Sequence, residues 1–460
     1  MRARGLFVPF GLLVSSVAVA CSSAEGDPRL TPEVEQDAAP PSPRADAPDA
    51  EVDLADAGRP AIEPASRLEV ACAQKPCYVA VSGSGSKHVC GLLEDGTVRC
   101  WGRDTLVPAG ASPDASVLES DGALGRGHAV TKLEGATPAP VAGLGDVKQI
   151  SVGRNLGTCA LTSDGSVYCW GRNEFGQLGQ PSSQAQLPIP TRIEGLPPMS
   201  KIALGGTTGC AIATGDGALH CWGTHVTRID RTPGPTFSFP PQRMTAFTAP
   251  IREIAIGTTS PLVTGWGAVP FQDTIVALRD DGVLESLGEL PAGESSNDEL
   301  HLPLPIEQPG VIRVGAFAYL AADGILSRWV PARRALYVPG ASTTVDVAIA
   351  IGRSEGVGSV EPFNYVEQAG VLLANGHLYR WGLNTAGALG YSPDDLDVAT
   401  EPMDMTHVAG DRVVSFATTN ASTCVSLVDG TVKCWGTNQY GELGRGAVDD
   451  ERHPEAEVIR

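Results

Sequence analysis

One alternation of apolar and polar positions recurs along the chain. At Thr158–Gly179 it reads TCALTSDGSVYCWGRNEFGQLG: an alternating run stops at Ser163-Asp164-Gly165, resumes, and ends on Trp170-Gly171. Two runs of period two flanking Asp-Gly are the strongest short-range signal for a β-hairpin. The pattern returns at Cys90–Gly102, Cys159–Gly171, Cys210–Gly223, Val276–Gly288, Ala318–Val330, Gly370–Gly382 and Cys424–Gly436, with turns about 42 to 69 residues apart. Such an interval holds a four-stranded unit plus a loop, and self-similarity at this spacing denotes a repeat architecture.

The register follows from the turn. A three-residue loop at Glu94-Asp95-Gly96, with Gly96 in the left-handed region where a side chain is costly, sets Leu92 opposite Val98 and Cys90 opposite Cys100. The same rule pairs Leu161 with Val167, Leu278 with Leu284, Leu320 with Leu326 and Leu372 with Leu378. An extra residue in the third copy, Gly215, asks for a four-residue loop and pairs Ile212 with Leu219; in the last copy Ser426 falls opposite Val432. Opposed residues in an antiparallel pair sit about 4.5–5.5 Å apart, which a disulfide accepts. The expected bridges are Cys90–Cys100, Cys159–Cys169, Cys210–Cys221 and Cys424–Cys434, and Cys72 with Cys77 remain as a fifth pair. Three hairpins lose both cysteines together (Val276/Ser286, Ala318/Arg328, Gly370/Arg380), as bonded partners would. Zinc would ask for a Cys-x-x-Cys spacing that the hairpin pairs lack.

Composition adds compartment. The 460 residues include 54 glycines, 36 prolines and eleven cysteines, and the net charge is −20. Phosphate binding needs a Lys/Arg surface, so a nucleic-acid partner is not expected. Repeating cysteine spacings point to an oxidising compartment. The eleventh cysteine, Cys21, follows Arg2, Arg4 and the apolar run LFVPFGLLVSSVAVA, an export signal by charge and length. Ala18-Val19-Ala20-Cys21 resembles a bacterial lipobox without its usual leucine, which implies cleavage before Cys21 and lipid attachment to it. Ser22 and Ser23 follow in place of Asp, so an outer-membrane destination is expected, facing periplasm or cell surface. The division is a lipoprotein signal over 1–20, an Ala/Pro/acidic tether over 21–66 too poor in large apolar residues to fold, and the repeat region over 67–460.

The repeats resemble the RCC1 family. Pro138-Ala139-Pro140-Val141, then Val147 through Gly153, the Asp-Gly hairpin, Trp170-Gly171 and Gly176-Gln177-Leu178-Gly179 follow that family's order, and Gly387–Gly390 and Gly441–Gly444 repeat the close. In the fourth copy Leu287 replaces Trp, and the fourth and fifth lack the Gly-x-Leu-Gly close. The resemblance implies an all-β, seven-bladed β-propeller, with His453–Ile459 adding a strand to the first blade to close the ring. Trp101, Trp170, Trp222, Trp329, Trp381 and Trp435 then pack between blades, while Trp266 stands outside the register.

Function is sought in what does not repeat. Asp104–Ala136, His225–Arg252 and Leu290–Gln308 are long insertions, and loops on a rigid scaffold commonly carry binding. A protein or glycan binding scaffold is expected, monomeric, without cofactor or metal, and not an enzyme. The alternatives are a secreted hydrolase with an acid pair on the propeller face, and an exchange-factor-like regulator implied by the resemblance alone. Gly352-Arg353-Ser354-Glu355-Gly356 has the spacing of a nucleophile elbow, but Gly-Val-Gly follows where a helix should begin. Asp394, Asp395 and Asp397, and Asp449, Asp450 and Glu451, read as loop acids without ordered calcium spacing. Gly83–Lys87 lacks the spacing of a phosphate loop.

Overall fold

Each sheet is built from a stretch of chain that folds back on itself. The computed structural model describes residues 68–104, 121–224, 241–245, 247, 249–259, 263–264, 267–268, 272–287, 304–306, 311–314, 318–321, 325–328, 336–337, 344–353, 365–384, 386–419 and 421–459. In the second blade Val147–Val152, Gly157–Thr162, Val167–Arg172 and Gln186–Arg192 pair antiparallel in that order. The same meander forms a blade from Tyr78 to Pro140, a third from Met199 to Arg243, a fourth from Ile251 to Ile306, a fifth from Val311 to Tyr337 and a sixth from Thr344 to Asp404. The expected hairpin registers are present: Leu92↔Val98, Leu161↔Val167, Ile212↔Leu219, Leu278↔Leu284, Leu320↔Leu326, Leu372↔Leu378 and Ser426↔Val432.

Two expectations are corrected. In place of seven equivalent blades, the described residues form six four-stranded blades, and the last hairpin, Ser422–Leu427 with Val432–Thr437, lies in a five-stranded sheet. The added strand is Ser84–Ser86, which leaves the first blade and runs parallel to Val413–Thr419. Nor does the C-terminal segment join the first blade. Arg452–Val458 pairs with Val432–Thr437 of its own hairpin. The physical reason is that the segment after each Gly-x-Leu-Gly is the fourth strand of the same meander, as Gln186–Arg192 is in the second blade.

Side chains join one unit to the next. Leu161 and Val167 of the second blade share a core with Met199, Ile202, Leu204 and Trp222 of the third. Full burial of one such side chain is worth about 1.5–3 kcal/mol. The first strands carry peptide N–H groups that face the preceding unit, and polar side chains there satisfy them. Ile202 N donates to Gln149 Oε1 (3.1 Å) and Val81 N to Ser415 Oγ (2.7 Å). Val152 N and Leu204 N donate to Ser82 Oγ (3.1 Å) and Ser151 Oγ (3.0 Å).

First blade and closing sheet meet by the same means, with Tyr78, Val89 and Trp101 packed against Ala417, Leu443 and Ile459. On the hairpin-turn side, Ala71 N and Ala73 N donate to the carbonyls of Val428 and Asp429.

Candidate binding face

The ends of the blades that carry Trp-Gly form one face. The glycine is required: at Gly102, Gly171, Gly223, Gly382 and Gly436 φ lies between 91° and 111°, and a Cβ at Gly171 would meet the carbonyl of Leu156. Two residues on, Asn173 organises the loop. Its Oδ1 accepts from Leu178 N (2.9 Å), and its Nδ2 donates to the carbonyls of Gln180, Pro181 and Gln184. Asn384 and Asn438 serve Leu389 N and Leu443 N in the same way. In the first blade Asp104 takes this position and accepts from Leu124 N at 2.9 Å.

The Gly-x-Leu-Gly loop so held offers a carbonyl to the indole of the next unit. Trp222 Nε1 donates to Gln177 O (2.8 Å), Trp435 to Ala388 O (2.8 Å) and Trp101 to Glu442 O (3.0 Å). Trp170 donates to Ala123 O at 3.1 Å. That last bond exposes a signal missed in the sequence: Gly122-Ala123-Leu124-Gly125 is the first blade's own close, so the later part of Asp104–Ala136 belongs to the repeat. The matching sign was Asp104 standing where Asn173 stands.

Between the first blade and the closing sheet this face carries a cluster of cations on one aromatic ring. Lys87 Nζ lies 4.4 Å from the Tyr440 ring centroid and 3.2 Å from its hydroxyl. The Arg103 guanidinium is 4.6 Å from that centroid and the Lys132 ammonium 5.7 Å. Beneath them Glu442 is buried, with Oε1 accepting from Thr437 Oγ1 and Oε2 from Tyr440 N. Burial raises its carboxyl to about 6 against the lowering pull of these hydrogen bonds and of Lys87. Arg103 is drawn down by burial and supported by the charges of Tyr440, Asp121 and Glu442.

Other polar groups on this side are consumed internally. His88 is wholly buried, with Nδ1 2.6 Å from Ser86 Oγ and Nε2 2.8 Å from Thr158 Oγ1. Burial lowers its pKa to about 3, so the ring is neutral. A serine–histidine pair is present here, but Ser86 and His88 are 1% and 0% exposed. Asp273, also buried, accepts from the N–H groups of Gly206, Thr207 and Thr208 at 3.1, 2.8 and 2.8 Å and from Thr258 Oγ1 at 2.6 Å. On the opposite, hairpin-turn side, a cleft of about 520 Å³ opens beside the extra residue Gly215, walled by Pro198, Thr214 and His220. An Arg243–Asp216 ion pair of 2.8 Å lies at this cleft.

The cysteines of the four hairpin pairs face one another with Cα atoms 4.1–4.2 Å apart and are bonded, and Cys72 is bonded to Cys77 at 5.6 Å. Glu94 completes a metal-like trio with those last two, but their sulfurs are joined to each other. In the sixth hairpin Arg380 fills a vacated cysteine position and donates to Ala388 O at 3.2 Å and to Thr423 Oγ1. Gly83–Lys87 contains the added strand and is not arranged as a phosphate loop. Asp394, Asp395 and Asp397 are exposed, and Asp449 is engaged by Asn438 and His453. Cys21, Trp266, Trp329 and Ser354, with residues 1–67, 105–120, 225–240 and 288–303, lie outside the described residues.

Repeated four-stranded meanders, joined at Trp101, Trp170, Trp222 and Trp435 by an indole that donates to a loop carbonyl of the preceding unit, define a β-propeller. Comparison with known proteins gives the likeness of the repeats. Models of the regulator of chromosome condensation (RCC1) repeat match residues 164–212 and, in a second form, 78–106 and 147–177. The chain is 34% identical over 113 residues to protein pim1 of Schizosaccharomyces pombe, covering 24% of this chain and 19% of that protein. It is 28% identical over 204 residues to the mouse secretion-regulating guanine nucleotide exchange factor, covering 44% and 42%. With human regulator of chromosome condensation it shares 39% over 66 residues, 14% of this chain and 15% of that one. The chain thus spans less than half the length of each of these relatives. Among solved structures it is similar to Prp20p of Saccharomyces cerevisiae (TM-score 0.58, 17% identity, 80% of this chain and 87% of that one). Human WBSCR16 is similar at TM-score 0.55 and 17% identity, over 79% and 94%. The chain is thus a β-propeller that carries repeats similar to the RCC1 repeat.

Proposed function

We propose that this chain is a binding scaffold that recognises a protein through the Trp-Gly face of its propeller, held outside the cytoplasm by a lipid on Cys21. The observation that carries the reading is the division of labour on that face. Cysteines, indoles and the Asn173-type side chains are spent on architecture, whereas the side chains of Lys87, Lys132 and Tyr440 belong to none of the hairpin bridges or blade cores described. The Prp20p structure was described with that protein's binding to Gsp1p and histones, and a second yeast RCC1 structure has Kap60 bound. Such propellers support protein binding or exchange-factor-like regulation as the class of activity. The acidic charge and the expected export signal argue here for a partner other than Gsp1p, histones or Kap60. Five disulfides favour an extracytoplasmic setting. Among the described residues no helix is long and apolar enough to cross a membrane.

The test is proximity labelling or pull-down on intact cells, with a lipid-anchored control protein as baseline. Specific enrichment of a protein supports the reading, and none over the control sinks it. Cys21→Ser tests the anchor separately: it should abolish incorporation of labelled lipid, and unchanged labelling would dismiss Cys21 as the attachment point.

A further inference from the structure

We propose that the surface around Tyr440 binds an acidic segment of the partner protein, whose carboxylates pair with Lys87 and Lys132 and with the field of Arg103. This rests on the protein-binding reading above and names the partner's chemistry. Three cationic groups lie within 5.7 Å of one ring centroid. Drawing like charges together is unfavourable, and the ring's negative face relieves it only in part. Among the described residues neither Lys87 nor Lys132 makes an ion pair: Lys87 Nζ donates to the Tyr440 hydroxyl, and Lys132 faces the ring. Of the acids that act on the cluster, Asp121 acts on Arg103, and Glu442 acts on both Arg103 and Lys87 but is sealed beneath the surface at 3% exposure.

The positions are fixed in advance. Arg103 N donates to Lys87 O at 2.9 Å, tying the two cationic loops together. Lys132 opens a short helix closed by a capping box, with Thr131 Oγ1 accepting from Glu134 N and Glu134 Oε2 from Thr131 N. Tyr440 N is held by Glu442 Oε2 at 2.7 Å. A surface ordered before contact loses less entropy on binding. The chain's charge of −20 opposes anions elsewhere, so this patch is a local exception that selects where an acidic segment can settle. The cationic groups lie 4.4, 4.6 and 5.7 Å from the ring centroid, and several carboxylates of one extended acidic segment can engage them together.

The probe is a fluorescein-labelled decaglutamate peptide, titrated by anisotropy against the full chain at low salt. Binding is expected to weaken as salt rises. Lys87→Gln with Lys132→Gln should lose about tenfold in affinity, the worth of two partly exposed ion pairs. Lys87→Arg with Lys132→Arg should retain it, and Tyr440→Leu should weaken it. No binding at low salt, or equal affinity in the Gln/Gln variant, overturns the proposal. So does displacement of the peptide by inorganic phosphate or by phosphatidylglycerol vesicles at lower charge concentration than by unlabelled decaglutamate. Should the Gln/Gln variant still capture the cellular partner as wild type does, the site assignment falls while the binding scaffold stands.

Discussion

The indole nitrogen of Trp101 donates to the carbonyl of Glu442 at 3.0 Å, a bond between residues 341 apart in sequence. It joins the first blade to the closing sheet by the contact that Trp222 makes with Gln177 and Trp435 with Ala388. The propeller therefore closes with its ordinary inter-blade joint, reinforced by the parallel strand Ser84–Ser86, and not by exchange of a C-terminal strand. Trp101→Ala should accordingly destabilise the fold by about 3–5 kcal/mol, as for other fully buried aromatics. Hydrogen exchange checks the location: amides of Val413–Thr419 should lose protection before those of Val147–Val152 in the second blade. Equal loss in both would show that the joint at Trp101 has no special part in closure.

Asp273 makes a further joint. One buried carboxylate gathers three consecutive N–H groups, from Gly206, Thr207 and Thr208, together with the Thr258 hydroxyl. Asp273→Ala leaves buried donors without an acceptor, at about 1–3 kcal/mol for each that stays dry. Asp273→Asn keeps one side-chain oxygen and should recover part of the loss. Urea unfolding of the two variants measures the difference, and an Ala variant as stable as Asn would mean that water replaces the carboxylate.

The hairpin bridges admit a simpler measurement. Cys159→Ala with Cys169→Ala opens a loop of about ten residues and should cost roughly 2–3 kcal/mol in the chain-entropy model. Chemical denaturation should show the lower midpoint, and non-reducing peptide mapping should recover Cys90–Cys100, Cys159–Cys169, Cys210–Cys221 and Cys424–Cys434 as linked pairs. Free thiols at Cys159 and Cys169 in the wild-type protein would remove the basis for both.

Much of this architecture is written locally. Asp164-Gly165 admits one turn, the turn sets the register, and the register puts Cys159 opposite Cys169, so three levels follow from a dozen residues. The joints were harder to read because their partners are distant and one is a backbone carbonyl. Nothing in the identity of Ala123 or Glu442 marks it as an indole's acceptor, since the peptide group does the accepting. Gly122–Gly125 escaped notice because Asp104 replaced the usual Asn and a long insertion parted the two. The candidate site was less legible still. Lys87, Arg103, Lys132 and Tyr440 belong to no motif and meet only once the first blade lies beside the closing sheet.

Two buried groups at that same junction titrate in opposite senses, and this gives the pH dependence. His88 has its pKa lowered from 6.5 to about 3 by burial. Folding then favours the neutral ring, so its contribution is complete above pH 6.5 and is lost as pH falls, by about 1.4 kcal/mol per pH unit between 6.5 and 3. Glu442 has its pKa raised from 4.5 to about 6, chiefly by burial. The folded state holds its proton more tightly, so this contribution is complete below pH 4.5 and is lost as pH rises through 6, about 2 kcal/mol in all. Between pH 6 and 4.5 the two oppose each other, and stability should change little there before falling below pH 4.5, where His88 acts alone of the pair. Glu442→Gln removes the compensating group, so its stability should decline steadily from pH 6.5 downward. His88→Asn should instead make the protein gain stability as pH falls from 7 to 4.5. Urea midpoints at half-unit pH steps for the three proteins check this, and parallel curves for wild type and Glu442→Gln would show that Glu442 titrates as an ordinary surface carboxyl.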